Sequence, residues 1–560
     1  MRTERVNTHH RHYSEILDAL KICFPSPVSN PVMDGYFVHT LSCFLDRVDG
    51  LKSASPILGS TLDGDYSAQR ALPMPERMSS IEQITAMLAD YCRGMVVWAH
   101  PNAQANVIPP PTIASITAFI ASAIYNPNII WDEYSARFAE AEIEAVAMLA
   151  DLVGYERESA GGVFTFGGTG TILYGLKLAL EKISGGRAMH EGIRKPYKIL
   201  ASGVSHYSRV NAAGWLGLGT ENLVTVPTTL QNEMSLTHLE SELRRRFEAG
   251  EEVAAIIATL GTTDAFGIDD LAAIADIRDA LAEEYRLPYR PHLHADAVIG
   301  WPWSVFKDYD FELNPLGFHA RTLRSLQDSV ERIGLLHRAD SIGLDFHKTG
   351  YVPYVSSAVL VKNRDDLALL SRDPAQMPYL YQFGHYHPGL FTLECSRSGA
   401  GALAALANLR LLGKEGYRVI LGHSVEMSER LRELLEELDF VHILNGGNFG
   451  PVTLFRLYPP GTAAAAAYRR ELTDPAYADI LERHNRFNRE IFDRMHAKAV
   501  KGEGVLLSWT DAYRDAGRGN GRIAAIKSFI MSPWTDRRTI DRVVDQVWRA
   551  WEVCGPGFSA

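Results

Sequence analysis

Apolar positions recur at helical spacing over residues 135–153 and 236–249, whereas short runs rich in β-branched residues occupy 163–166, 223–226, 253–259 and 355–361. Alternation of the two patterns from about residue 112 to about 395 predicts helices crossing over a mostly parallel sheet. Ahead of it, helical spacing mixes with loop signals and closes on the prolines 109–111. Behind it, an alanine- and leucine-rich helical pattern starts at Ser398, breaks at Gly413 and Gly416, and resumes to about Leu438. Strand-like pieces and a closing helix follow, the helix capped by Thr535 or Asp536 after Ser532-Pro533. The pattern divides the chain into a largely helical N-terminal segment, 1–112, a large α/β domain, 113–397, and a small α+β domain, 398–560.

Composition narrows the class. With 46% hydrophobic and 22% charged residues the chain reads as globular and soluble. Its net charge of −11 is interspersed, without the concentrated basic face that phosphate backbones require, so no nucleic-acid partner is expected. Five scattered cysteines form no C-x-x-C pair, which argues against a disulfide framework or structural zinc and for a reducing compartment. The apolar stretch 113–125 is broken by Ser115, Thr117 and Ser122 and is shorter than the ~20 residues of a membrane span. The first dozen residues lack an apolar signal core, so a cytoplasmic location is expected. His9-His10-x-His12 and His385-x-His387 have no completing ligand set, and no metal is expected.

Four local motifs carry chemistry. Ser341-Ile-Gly-Leu-Asp-Phe-His347-Lys348-Thr349-Gly350 places a lysine beside a histidine, before a glycine-containing turn into a strand. A Schiff-base lysine must be neutral at working pH, which such a partly desolvated position favours. Pro291-His-Leu-His294-Ala295-Asp296-Ala297 reads as a strand with a carboxylate at its C-terminal end, where α/β sheets bind ligands. A buried aspartate there needs a partner, and a pyridinium N–H would supply one. Gly161 to Thr171 reads as a strand, a Gly167-Gly168-Thr169-Gly170 turn and a helix start, a cradle for phosphate. Leu173 stands where a dinucleotide fingerprint needs its third glycine, which favours a single phosphate over a nicotinamide cofactor. Ser202-Gly-Val-Ser205-His206-Tyr207-Ser208 puts a histidine just past a strand, placed to cover a flat ligand or donate a proton. Taken singly, each has a plain structural explanation: a surface lysine, a helix cap, a structural turn, a hydrogen-bonded histidine.

In their order, and with Gly261-Thr262-Thr263 and Gly267-Ile268-Asp269 between them, these motifs resemble the pyridoxal-phosphate-dependent group II amino-acid decarboxylases. The resemblance runs from His100-Pro101-Asn102 to Glu394-Cys395-Ser396-Arg397-Ser398. It implies an aspartate-aminotransferase-like fold (fold type I), a pyridoxal 5′-phosphate cofactor, and a homodimer with its active site at the subunit interface. Carried over by motif, Lys348 is the Schiff-base lysine and Asp296 the partner of the ring nitrogen. His206 stacks on the ring and can act as an acid. Gly168 and Thr169 sit on the phosphate with His347 nearby, while Thr262 and Ala297 flank the ring. A partner-subunit tyrosine returns the proton in this family, and Tyr379 and Tyr381 lie in the corresponding region. Departures from the family pattern stand at Gly170, Thr171, Ile172, Asn211 and Thr349.

The implied reaction is decarboxylation of an L-amino acid to its amine. Arg397 is a candidate for a substrate carboxylate or an intersubunit pair, with a structural salt bridge as the alternative. An acidic substrate such as aspartate is favoured by the 392–397 and 412–417 segments, which resemble a bacterial branch containing aspartate 1-decarboxylases; aromatic substrates stay open. Competing readings are a lyase or decarboxylation-dependent oxidative deaminase on the same fold, and a catalytically silent binding homologue.

Overall fold

The computed structural model describes residues 13, 15–61, 64–378, 380, 383–517 and 521–558. The chain forms two compact units, Met1–Val97 with Ala497–Gly504, and Trp98–His496 with Val505–Ala560. In the first, α1 (Pro31–Asp49) starts on an Asn30 cap with proline in its first turn, and α2 (Ile81–Asp90) on a Ser80–Gln83 capping box.

The second unit is built on a seven-stranded sheet. Its strands are β1 (Gly161–Thr165), β2 (Lys198–Ser202), β3 (Leu223–Val226), β4 (Val253–Thr259), β5 (His292–Asp296), β6 (Ser341–Asp345) and β7 (Ser357–Val361), in the spatial order β1-β7-β6-β5-β4-β2-β3. The pairs from β3 to β6 are parallel, and β7 runs antiparallel to both β6 and β1. Every residue of β4 to β7 is buried, as expected where helices cover both faces. Helices α3 (Ile113–Tyr125), α4 (Arg137–Val153), α5 (Gly168–Ser184), α6 (Ser208–Trp215), α7 (Leu236–Glu248), α8 (Leu271–Glu284) and α9 (Ala320–Ile333) alternate with the strands. The expected mostly parallel α/β large sheet is therefore present. β6 was not anticipated as a strand: Gly343 and two polar ends interrupt its apolar run.

The C-terminal part begins with α10 (Ala400–Glu436), whose Gly413 has φ 53° and ψ −167°, the break the glycines signalled. An antiparallel sheet of order β10-β11-β9-β8 follows, from β8 (Val441–Ile443), β9 (Val452–Leu457), β10 (Ser508–Asp515) and β11 (Arg522–Phe529). Helix α11 (Arg537–Cys554) closes the chain on an Asp536 cap. Among the described residues no helix is long and apolar enough to cross a membrane.

Candidate active site

Parallel strands deliver their C-terminal ends to one edge, and the chemistry-bearing residues gather there. Asp296 ends β5 and is buried, and among the described residues its Oδ1 has no hydrogen-bond partner. Burial is the largest influence on its carboxyl and pushes it up to about 6, against the pull of the Lys348 ammonium. A carboxylate kept in this state calls for a cationic N–H opposite it.

Asp345 ends the neighbouring β6. Its Oδ2 lies 3.0 Å from Lys348 Nζ and 3.4 Å from His347 Nε2, and its Oδ1 accepts from Ser357 Oγ at 2.6 Å. Burial works to lower the Lys348 ammonium, but the carboxylates of Asp345 and Asp296 outweigh it and leave the lysine raised overall. His347 Nδ1 meets the Ser356 carbonyl at 3.0 Å, and its ring lies 4.1 Å from that of Tyr354.

The glycine turn approaches the same place. Gly167 has φ 124°, a conformation that favours glycine, and α5 starts at Gly168 with its N–H groups unspent. A Cβ on Gly168 would stand 2.8 Å from Asp345 Oδ2, and one on Gly170 2.6 Å from Thr165 Oγ1. The absence of a side chain at Gly168 thus lets the helix N-terminus, with its positive dipole end, lie close to the Asp345 carboxylate. Thr165 Oγ1 and Tyr174 OH both donate to Glu394, at 2.7 and 2.5 Å, tying the turn to the segment before α10.

His206 follows β2 and is half-buried. The Ser208 N–H donates to its Nδ1 at 3.2 Å, which leaves the ring proton on Nε2. Burial, and then the Lys348 charge, depress it to about 4, so it is neutral near pH 7. Beneath it, Ser202, Ser205 and Thr259 hydroxyls form a ladder at 2.9 and 2.8 Å. After β4, Thr262 Oγ1 accepts the Gly267 N–H at 2.8 Å, and Ala297 is buried beside Asp296 with its N–H on the Gly343 carbonyl at 3.1 Å.

Not every expected residue joins this cluster. Arg397 is buried in an ion pair with Glu142, its Nη1 and Nη2 donating at 2.6 and 2.9 Å and also to the carbonyls of Phe164 and Ile129. Both terminal nitrogens are spent on the protein, which is the structural alternative and leaves them no substrate carboxylate. Tyr379 and Tyr381 lie outside the described residues.

A lysine, a buried carboxylate with one oxygen unpaired among the described residues, a neutral histidine and a glycine-opened helix start at one sheet edge fit a flat, phosphate-bearing pyridine aldehyde. Residues 65–458 match the family model of the pyridoxal-dependent decarboxylase conserved domain. The chain belongs to this family. Its cofactor is pyridoxal phosphate, and it is an amino-acid decarboxylase of fold type I. It is 26% identical over 428 residues to the L-2,4-diaminobutyrate decarboxylase of Acinetobacter baumannii, covering 73% of this chain and 78% of that protein. Over 381 residues it is 26% identical to the aspartate 1-decarboxylase of Aliivibrio fischeri, covering 64% of this chain and 63% of the relative. Among solved structures, mouse CSAD in apo form (TM-score 0.73, 20% identity, 94% of this chain and 99% of that one) shares the fold. So does Oryza sativa TDC with PLP and tryptamine (TM-score 0.74, 17% identity, 95% and 99%).

The cluster also holds a residue that sequence reasoning passed over. Asp345 stood in the Asp-x-His-Lys motif without a role: Lys348 and His347 lie beside it in the chain, but Ser357 of β7 and Gly168 of α5, which complete its surroundings, do not. The available signal was period two: Ser341, Gly343 and Asp345 share one face of an otherwise apolar β6.

Proposed function

We propose that this decarboxylase converts an acidic L-amino acid such as aspartate to its amine and carbon dioxide, as a homodimer with the site at the subunit interface. The observation that carries the decarboxylation reading is the buried Asp296 oxygen without a partner, at the strand edge that also holds Lys348. When bound, pyridoxal phosphate supplies the electron sink for the bond to the departing carboxylate. Asp296 would hold the proton on the ring nitrogen, a preorganised charge in a water-poor site. Lys348 would anchor the cofactor, Gly168 and Thr169 would offer backbone N–H groups to its phosphate with His347 alongside, and Thr262 and Ala297 would border the ring. His206 would cover the ring and present its Nε2 proton to the substrate side; Tyr379 or Tyr381 is the proposed proton donor from the partner.

Likeness to the aspartate 1-decarboxylase supports the acidic substrate. The outward face of α3 supports the dimer: Ile113, Ile116, Ile120 and Tyr125 are exposed, while Ser115, Ala118 and Ser122 are buried. The test is incubation of the purified holoenzyme with each of the twenty amino acids, with carbon dioxide, amine, aldehyde and peroxide assayed together. Stoichiometric amine and carbon dioxide from aspartate or glutamate is the expected result; aldehyde with peroxide would replace this reading by oxidative deamination.

A further inference from the structure

The Asp345 carboxylate is 1% exposed and held from three sides. Ser357, its cross-strand neighbour in β7, donates to Oδ1; Gly168 lies so close that a Cβ there would stand 2.8 Å from Oδ2; and Lys348 Nζ meets the same Oδ2 at 3.0 Å. Leaving such a carboxylate without a cation is costly, and Lys348 is the cation in contact. His347 Nε2, at 3.4 Å, faces the same oxygen, but burial lowers that imidazole and favours its neutral form. Asp296 at the end of β5 acts on the lysine electrostatically, as do His206 past β2 and Tyr354 ahead of β7. Of these groups, Asp345 is the one in hydrogen-bonding contact with Nζ.

We propose that Asp345 is a positioning residue for Lys348: its carboxylate holds the lysine in the ammonium form whenever Nζ is not bonded to the cofactor. The proposal rests on Lys348 being the anchoring lysine. Capture of the cofactor then begins with loss of the ammonium's surplus proton to solvent. A C=N bond forms between Nζ and the aldehyde carbon, and the aldehyde oxygen leaves as water with the two remaining amine protons. The same pair receives the lysine again each time the substrate amine displaces it. Asp345 therefore aims Nζ toward the cofactor and slows its capture at neutral pH.

The test uses full-length apoenzyme, freed of cofactor by dialysis against hydroxylamine and then buffer, and mixed with pyridoxal phosphate across a pH series. The rise of visible absorbance reports capture. In the wild type the rate climbs with pH through the alkaline range. Asp345→Asn is expected to move this profile to lower pH by about one unit, making capture about tenfold faster at neutral pH. Ser357→Ala, which removes the donor that stabilises the carboxylate, is expected to move it to higher pH and serves also if the asparagine variant fails to fold. An unchanged profile in either folded variant, or a uniform slowing at every pH, overturns the proposal. Affinity for pyridoxine phosphate, which carries no aldehyde, separates a damaged pocket from an altered lysine. Wild-type capture without release of amine would sink the proposed function and leave this inference standing; no capture at all would sink the Lys348 assignment.

Discussion

The two aspartates at the ends of β5 and β6 differ in what the fold provides for them. Asp345 has a hydroxyl donor and a lysine in contact, whereas one oxygen of Asp296 has nothing. Replacing Asp296 by Asn keeps the shape and removes the charge a ring N–H would need. Amine formation is expected to fall by about 10²-fold or more while the visible absorbance of the captured cofactor persists; initial rates beside a spectrum check this. The apoenzyme should respond in the opposite sense. The folded-state pKa of about 6 stands above the ordinary 3.8, so the fold prefers the protonated carboxyl. Its contribution to stability is present below about pH 4 and is lost as pH rises to about 6, at up to roughly 1.4 kcal/mol per pH unit. Above pH 6 apo Asp296→Asn should therefore melt at a higher temperature than apo wild type, and near pH 4 at a similar one. Lys348, Asp296 and the glycine turn were legible because each motif is contiguous in the chain. The Ser357 and Gly168 surroundings of Asp345 were not, since they depend on which elements lie beside β6, although its contact with Lys348 falls within the motif.

Elements reach this precision by close approach. The α5 helix packs so tightly on the sheet that a Cβ at Gly175 would overlap His294 of β5 and one at Gly343 of β6 would overlap Thr171. His294 and His292 share the Ser341 hydroxyl at 2.8 Å each, and burial keeps both imidazoles low. Nothing local in the sequence distinguished these packing histidines from His206. Arg397 is the complementary case. Its partner Glu142 sits on α4, 255 residues away in the chain, so no spacing argument reaches the pair. Because the pair is buried, Arg397→Ala should cost about 3–5 kcal/mol of stability through the uncompensated Glu142 carboxylate. Glu142→Gln should also lower the urea midpoint, by leaving the guanidinium without its counter-charge. In protein that remains folded the KM for the amino acid should change little; normal stability with a raised KM would return Arg397 to the substrate.

At the scale of the molecule, α3 poses the largest question of partnership. The apolar run 113–125, too short for a membrane span, turns Ser115 and Ser122 inward and leaves Thr117 exposed. Thr112 caps the helix with its side chain, and Ser115 Oγ donates to the Thr112 carbonyl, so the buried face satisfies its hydroxyl locally. The isoleucines at 113, 116 and 120 then line the outward face at helical spacing, with Tyr125 beyond them. Apolar side chains facing water cost solvation that a second copy of the chain would recover, about 25 cal/mol for each Å² covered. A two-fold interface is self-complementary, so one substitution acts twice. Ile116→Lys with Ile120→Lys should shift the proposed dimer to monomer in sedimentation velocity and leave the unfolding of the sheet near its wild-type midpoint. If the proton-returning tyrosine comes from the other copy, the monomer should still capture the cofactor on Lys348 and yet lose amine formation. A monomeric variant with full activity would place every catalytic group within one chain.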